Sequence, residues 1–526
     1  MSATRRRRAG VLVPLFACPS SASWGIGEIG DVKGMTTWLG AAGQRVLQLL
    51  PLNEMAAEQQ SPYSALAAMA LDPIFISLTD VPEYLALGGE ESLSPADRHE
   101  LERARHAPRI DYARVRALKQ QALTNAFAQF RDAEWNRDTV RAQELREFLA
   151  AEAWWIDDYA LFRALHAREG RRPWTEWPEP LRRRDAHALA AARHELATEV
   201  LFRQYLQWIA HTQWLAARAA ARVNGVELFG DLPFMVDVDS ADVWSHQSDF
   251  RLDTSVGVPP DAFSATGQDW GMPAYRWDAV AESDFRWLRD RARRSAALYD
   301  GYRIDHLVGF YRTYSRPRDG GEPSFAPATE HEQRQLGERL LEIFAEPGAE
   351  IIAEDLGVVP AFVRQSLARM GIPGFRVLRW ERYWDVDGQP FVDPSEYPAL
   401  SVAASGTHDT EPMTVWWQHA QEDERRNVGN LPTVKRVAPE TDLVNARYLP
   451  SVRDALVEAL FASRSDLLLM PIQDVFGWEI RINEPATVSA ENWTFRLPWP
   501  IDLIDASAEA RERLDALRKL TEKYSR

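Results

Sequence analysis

Short apolar runs that end abruptly in charge recur along this chain. One is Leu298-Tyr299-Asp300-Gly301-Tyr302-Arg303-Ile304-Asp305-His306. Side chains alternate along a strand, so Arg303 and Asp305 share one face while Tyr302 and Ile304 share the other. The run Ile351-Ile352-Ala353 opens directly onto Glu354-Asp355-Leu356-Gly357, and Val402-Ala403-Ala404 runs through Ser405-Gly406-Thr407 into His408-Asp409. The pattern predicts three strands that deliver Asp305, Glu354 and Asp409 at their C-terminal ends. The intervals between them suit one or two βα units each.

Alone, Arg303 beside Asp305 reads as a structural ion pair at a strand end. In either role the arginine is expected to keep the carboxylate ionised and its pKa low. Three such strands together read differently. In a (β/α)8 barrel, acids at strand C-termini converge on one face and are catalytic. Two convergent carboxylates are the equipment of glycoside chemistry, and a third would stabilise charge developing on the sugar ring.

Elsewhere the periodicity turns helical. From Ser92 to Ala221 the chain is rich in Ala, Arg, Glu and Leu, and Leu201, Tyr205, Trp208, Thr212 and Leu215 fall on one helical face. This stretch, 92–221, reads as a mainly helical insertion subdomain whose aromatic residues are core. Ser283 is placed to cap a helix from Asp284 to Ala297, Glu332 to Ala345 reads as helical, and Pro317 to Glu330 has loop composition.

Composition narrows the partners. The chain has 526 residues, 45% of them apolar, and a net charge of −16, with a pI near 5.3. That balance argues against nucleic acid or an anionic membrane as a partner and fits a neutral polymer. The single cysteine, Cys18, excludes an intrachain disulfide framework and a cysteine-built zinc site. No run is long and apolar enough to span a bilayer. Arg5 to Arg8 followed by Ala9 to Cys18 resembles an export signal, but the apolar part is short and Pro14 interrupts it.

The Arg-Ile-Asp-His, Ala-Glu-Asp-Leu-Gly and Gly-Thr-His-Asp segments resemble those of amylomaltase, the 4-α-glucanotransferase family of the α-amylase superfamily. Further matches run along the chain: Ser21-Ala22-Ser23-Trp24-Gly25-Ile26-Gly27, Ser61-Pro62-Tyr63-Ser64, Trp154 to Tyr159, Pro173 to Pro178, Gly230-Asp231-Leu232-Pro233, Gln473-Asp474 and Asn492 to Arg496. The resemblance implies an α/β fold, a (β/α)8 TIM barrel over 1–526 with helical insertion subdomains and no C-terminal β-sandwich domain. Its strands are then the run after Arg5 to Arg8 (a ragged start), Arg45 to Leu50, Val226 to Phe229, the run ending at Ile304, Ile351 to Ala353, Gly374 to Trp380, Leu400 to Ala404 and Leu467 to Ile472. A helix from Ala508 to Lys523 ends the chain.

The resemblance also implies roles. Asp305 is the expected nucleophile, Glu354 the acid and base, and Asp409 the third acid. Expected substrate contacts are Arg303, His306, His408, Asp231, Ser61 and Tyr63, with Asp261, Gln268 and Trp270 in a lid over the cleft. Asp231 alone also reads as a structural residue holding nearby backbone. The chain departs from the family at Glu54 to Gln60, which replaces a Gly-Tyr-Gly turn, at Ala262 and Met272, and at Arg481 to Pro485. The expected substrates are maltooligosaccharides and α-1,4-glucans, with no metal or organic cofactor and a cytoplasmic location. Three alternatives stand beside this reading. They are an α-glucan hydrolase or glucosidase, a metal phosphohydrolase using His306, Glu354, Asp355, His408 and Asp409, and a non-catalytic glucan-binding module.

Overall fold

Eight apolar runs lie side by side and close on themselves. In the computed structural model, which describes residues 7–56, 58–260, 267–443, 447–485 and 487–526, they form a parallel barrel. Its strands are β1 (Arg8–Leu12), β2 (Val46–Gln48), β3 (Glu227–Leu232), β4 (Gly301–Ile304), β5 (Glu350–Ala353), β6 (Gly374–Val377), β7 (Ser401–Ala404) and β8 (Leu467–Pro471). Their order around the barrel is β1-β8-β7-β6-β5-β4-β3-β2. The architecture is a (β/α)8 barrel.

The barrel interior is a packed apolar plug. Val46, Phe229, Ile352, Phe375, Val377, Val402, Ala404, Leu467 and Leu469 form a cluster separate from the outer core. These side chains alternate with outward residues, as buried parallel strands require. The space inside is tight. A Cβ on Gly301 would lie 2.7 Å from the Phe229 ring, so the large residue on β3 needs glycine on β4.

Several boundaries differ from the sequence reading. Arg8 is no ragged start: it begins β1, and its guanidinium binds Glu227 of β3 and Glu350 of β5. β3 runs on through Asp231, and β6 stops at Val377 rather than Trp380. Ser283 closes the helix Trp277–Glu282 instead of opening the next one. That next helix, Arg286–Leu298, follows Phe285 in the left-handed region. Thr329 caps Glu330–Ala345 through a reciprocal pair with Glu332, because an N-cap hydroxyl and a glutamate three residues on satisfy each other's backbone N–H groups. Within the stretch of loop composition, Ser324–Ala326 pairs as a strand with Thr313–Pro317.

The chain between β2 and β3 holds a hairpin, Asn53–Met55 with Ala65–Leu71, and then helices that include Tyr112–Ala133, Val140–Arg168 and Ala197–Val223. The expected helical face in the last of these is rotated. Tyr205 and Trp208 are buried as foreseen, but Thr212 and Leu215 face solvent, and Phe202, Ile209 and Trp214 take the inner side. Trp155, Trp174 and Trp177 are core residues. Glu54, in the segment that departs from the family, is buried and accepts from Tyr159 and Arg163. Among the described residues, no helix is long and apolar enough to cross a membrane.

A buried cation clamps this insertion to the barrel. Lys119 Nζ donates to the carbonyls of Ile74 at 2.6 Å and Ile76 at 2.8 Å, and lies 2.7 Å from Glu28. Burial pushes the Glu28 carboxyl up to about 7 and lowers Lys119, while their mutual attraction opposes both shifts. Removing one partner leaves the other charge buried and unpaired. Lys119→Ala is therefore expected to destabilise the protein by about 3–5 kcal/mol, whereas Lys119→Met combined with Glu28→Gln costs far less. Denaturant unfolding of both variants checks this; equal losses would show that the pair is not coupled.

Candidate active site

One guanidinium organises the mouth of the barrel. Arg303 projects from β4 and is 2% exposed. The parallel register sets it beside Asp231 of β3 and Ile352 of β5. Its Nη1 donates to both oxygens of Asp231, at 2.8 and 2.7 Å. Its Nη2 lies 2.9 Å from Asp305 Oδ1 and 2.9 Å from Glu354 Oε2. Three carboxylates on three adjacent strands thus share one cation.

The backbone holds the acids as firmly. The Asp305 N–H donates to Leu232 O at 3.0 Å, and the Glu354 N–H to Ile304 O at 3.1 Å. His306 adopts a positive φ of 42°, an uncommon conformation for a non-glycine residue. Its N–H donates to Glu354 Oε2 at 2.6 Å.

The sequence led us to expect a low pKa for Asp305. The structure reverses this. Burial pushes Asp305 up to about 6; Arg303 pulls it down, and Glu354 pushes it up again. One cation cannot neutralise three anions, so the site favours keeping a proton. The Asp305 side chain still has 26% of its surface exposed, so it remains reachable. Burial also raises Asp231, against the pull of Arg303, and the side chain of Asp231 has no exposed surface.

Asp409 behaves oppositely. It follows β7, and 41% of its side chain is exposed. Asn483 Nδ2 donates to its Oδ1 at 2.6 Å, and His408 Nε2 is 3.2 Å from its Oδ2. Burial raises its pKa, but His408, Asn483 and Arg303 outweigh that and carry it down to about 2. Burial tends to lower His408, yet Asp409 prevails and the ring is raised; His306 is lowered by its burial.

Tyr63 joins the two groups. Its hydroxyl donates to Asp231 Oδ2 at 2.8 Å and lies 3.0 Å from His408 Nε2. Its ring stacks on His408 with centroids 5.3 Å apart, and Trp493 covers both rings. Ser61 stands one step back, its hydroxyl accepting the Tyr63 N–H at 3.3 Å.

The expected lid is a β-sheet. Gln268–Asp269 pairs with Thr254–Val258, which pairs with Thr313–Pro317. Trp270 N–H donates to Val256 O, its indole N–H to Gln268 Oε1 at 3.2 Å, and its ring meets His306 edge-on at 4.9 Å. Asp261 and Ala262 lie outside the described residues; Met272 packs against the core.

The five-residue metal set is not brought together. Asp355 accepts from Phe375 N–H at 2.7 Å and from Arg376, and among the described residues no group of three His, Cys, Asp or Glu has metal-binding spacing. Sequence reasoning missed Asn483 and Arg481, whose guanidinium donates to Asp409 O at 2.8 Å. They sit in the segment that departs from the family, where no motif marked them. Phe234, which packs on His306, carried no signal beyond being aromatic, while Trp493, which packs on His408, lies in a segment matching the family but was not assigned to the site.

The fold and the gathered acids define a barrel enzyme with its machinery at the C-terminal strand ends. The sequence profile of the 4-alpha-glucanotransferase family matches residues 13–502, and this chain belongs to that family. A 4-alpha-glucanotransferase of Thermus thermophilus is 34% identical, covering 98% of this chain and 99% of its own length. One from Synechocystis is 33% identical over 93% and 94%. The solved structure of amylomaltase from Streptococcus agalactiae in complex with acarbose superposes with a TM-score of 0.83 at 27% identity, covering 99% of this chain and all of that one.

The raised Asp305 has a measurable consequence. Between about pH 4 and about pH 6 the folded protein holds a proton on Asp305 that the unfolded chain has lost. Stability linked to this group is therefore full below about 4 and is lost as pH rises through 6. Asp305→Asn removes that loss, so its melting temperature relative to the parent should rise between pH 4 and pH 7.5. A difference between the two proteins that stays flat over that range would show that the pKa is not raised.

Proposed function

We propose that this protein transfers α-1,4-glucan segments from a donor glucan to a sugar acceptor, with retention, through a covalent glycosyl–enzyme on Asp305. The observation that carries the reading is the shared Arg303 nitrogen. Asp305 Oδ1 and Glu354 Oε2 are each 2.9 Å from it, so the two oxygens lie within twice that distance of each other. Retaining enzymes place their carboxyls about 5–5.5 Å apart, while inverting ones need about 6.5–9.5 Å to admit a water between them.

In the first step an Asp305 oxygen bonds to the anomeric carbon as the glycosidic bond breaks, and Glu354 gives its proton to the leaving oxygen. In the second step an acceptor hydroxyl attacks the same carbon, passes its proton to Glu354 and releases Asp305. Asp409, ionised and the most open of the acids, binds hydroxyls of the donor ring together with His408. We assign Asp231 to holding Arg303, since its oxygens are occupied and its side chain is sealed from the cleft. We assign Trp270 of the lid sheet to the acceptor and His306, which its ring meets edge-on, to hydroxyls of the donor sugar. The S. agalactiae relative was solved with acarbose, which supports a saccharide in the corresponding cleft here.

Maltotriose is the test substrate. A transferase yields glucose and a ladder of longer maltodextrins, whereas a hydrolase yields no ladder. Asp305→Asn should lose on the order of 10⁴ or more in turnover while keeping its fold, and retention of more than a few per cent would refute the nucleophile. The nucleophile must be ionised, so kcat/KM should fall about tenfold per pH unit below about pH 6.

The lid gives a further prediction. If Trp270 orders the acceptor and sheds water, Trp270→Ala should raise the ratio of glucose released by water to glucan transferred, even as total rate falls. A lowered melting temperature with an unchanged ratio would mean that Trp270 only packs the sheet onto the barrel.

A further inference from the structure

His408 has one nitrogen accounted for and one that is not. Nε2 faces Asp409 Oδ2 at 3.2 Å and the Tyr63 oxygen at 3.0 Å. Since Tyr63 spends its own proton on Asp231, Nε2 must be the donor to both. Nδ1 is buried and has no hydrogen-bond partner among the described residues. Buried polar groups are rarely left so, because an unmade bond costs about 1–3 kcal/mol.

Gln473 is orphaned in the same place. It stands just beyond β8, is buried, and neither its amide nitrogen nor its amide oxygen has a partner among the described residues. His408 and Gln473 line one small cavity, with Thr407, Thr410, Arg481 and Asp474 also in its wall. Its volume is about 10 Å³, the room needed for one water. The other polar groups in the wall are engaged. The Thr410 hydroxyl bridges Thr407 N–H and Thr407 O. Asp474 accepts from Met413 N–H at 2.6 Å and from Ser405 Oγ at 2.5 Å. Arg481 donates to the carbonyls of Asp409 and Asn483.

We propose that Gln473 is a positioning residue for His408, acting through a single water that bridges its amide and the imidazole Nδ1. The amide can present either end. Its N–H2 serves a neutral ring, in which Nδ1 accepts, and its carbonyl serves an imidazolium, in which Nδ1 donates. The bridge thereby keeps the Nε2 proton aimed at Asp409 and Tyr63 in both states, fixing the ring as other histidines are fixed by their distal nitrogen. The charged and titratable groups around the ring are Asp409 beside it, Arg303 on β4, Asp305 just after β4, Asp231 on β3, Tyr63 on the hairpin, and Arg481 and Asp474 beyond β8. Of these, Asp474 and Arg481 touch the same cavity and are already paired. The catalytic consequence rests on the reading given under Proposed function; the state of the histidine does not.

Two variants and one titration test it. Gln473→Met fills a similar volume without polar atoms, and Gln473→Glu keeps the shape but offers only an acceptor when ionised. The His408 ring nitrogens, followed by long-range ¹H–¹⁵N spectra against pH, should titrate lower in Gln473→Met and higher in Gln473→Glu. The two should lie about one unit or more apart. Turnover of maltotriose by Gln473→Met should fall between about tenfold and hundredfold, since a misaimed ring misplaces the substrate. Melting temperatures identify a variant that merely unfolds, in which case the other decides. The proposal is overturned if His408 titrates at the same pH in both variants and the parent, even where stability or rate declines. A parent protein that makes no glucan ladder would defeat the transferase reading alone, and the titration would still decide the role of Gln473.

Discussion

The site depends on one buried cation. Arg303 is enclosed at the top of the barrel, where an unpaired charge would be prohibitive. Its planar fork resolves this by spending one nitrogen on Asp231 and the other on Asp305 and Glu354. A lysine presents a compact point charge rather than a rigid fork, and so would not set the same angles. The arrangement ties β3, β4 and β5 together at their C-terminal ends. It also leaves an excess of negative charge in a poorly solvated place. That excess is why Asp305 sits near 6 rather than in the ordinary carboxylate range.

The second group solves a different problem. Asp409 is more open to solvent, and His408, Asn483 and the nearby Arg303 hold its carboxyl down at about 2. Tyr63 connects it to the first group through a chain of donors that runs from His408 to Tyr63 to Asp231, which in turn accepts from Arg303. Two acids with opposite shifts, linked by a tyrosine from a hairpin outside the barrel, make a site whose charges are interdependent. Below it lies the apolar plug around Phe229 and Ile352. Above it, Trp270 brings the edge of a four-stranded sheet against His306.

Much of this was legible in the order of residues. The period-two alternation around Arg303 and Asp305, and the two later runs ending in Glu354 and His408-Asp409, place three acids at strand ends for a local reason: strand geometry carries over residue by residue. The helical character of the insertion is local too, being set by propensity and capping. What failed was also local in origin. Residues 317–330 read as loop because Pro and Gly recur through them, yet Ser324–Ala326 became a strand by pairing with Thr313–Pro317. The helical face through Thr212 and Leu215 was misjudged because burial there depends on which neighbour the helix meets.

The sequence by itself determined the three runs that end in Asp305, Glu354 and His408-Asp409, because alternation and the order of adjacent residues are local properties, and the resemblance of those segments to a known family supplied the eight-stranded barrel. The tertiary structure alone decided which charges meet. Asp231 and Glu354 lie far from Arg303 along the chain, and only the parallel register brings them onto its fork. Asn483 reaches Asp409 from beyond β8 through a segment that no motif distinguishes. The pKa of Asp305 followed the same rule. Its neighbour in sequence argued for a low value, but burial and the approach of Glu354 are long-range consequences of closing the barrel, and they prevailed.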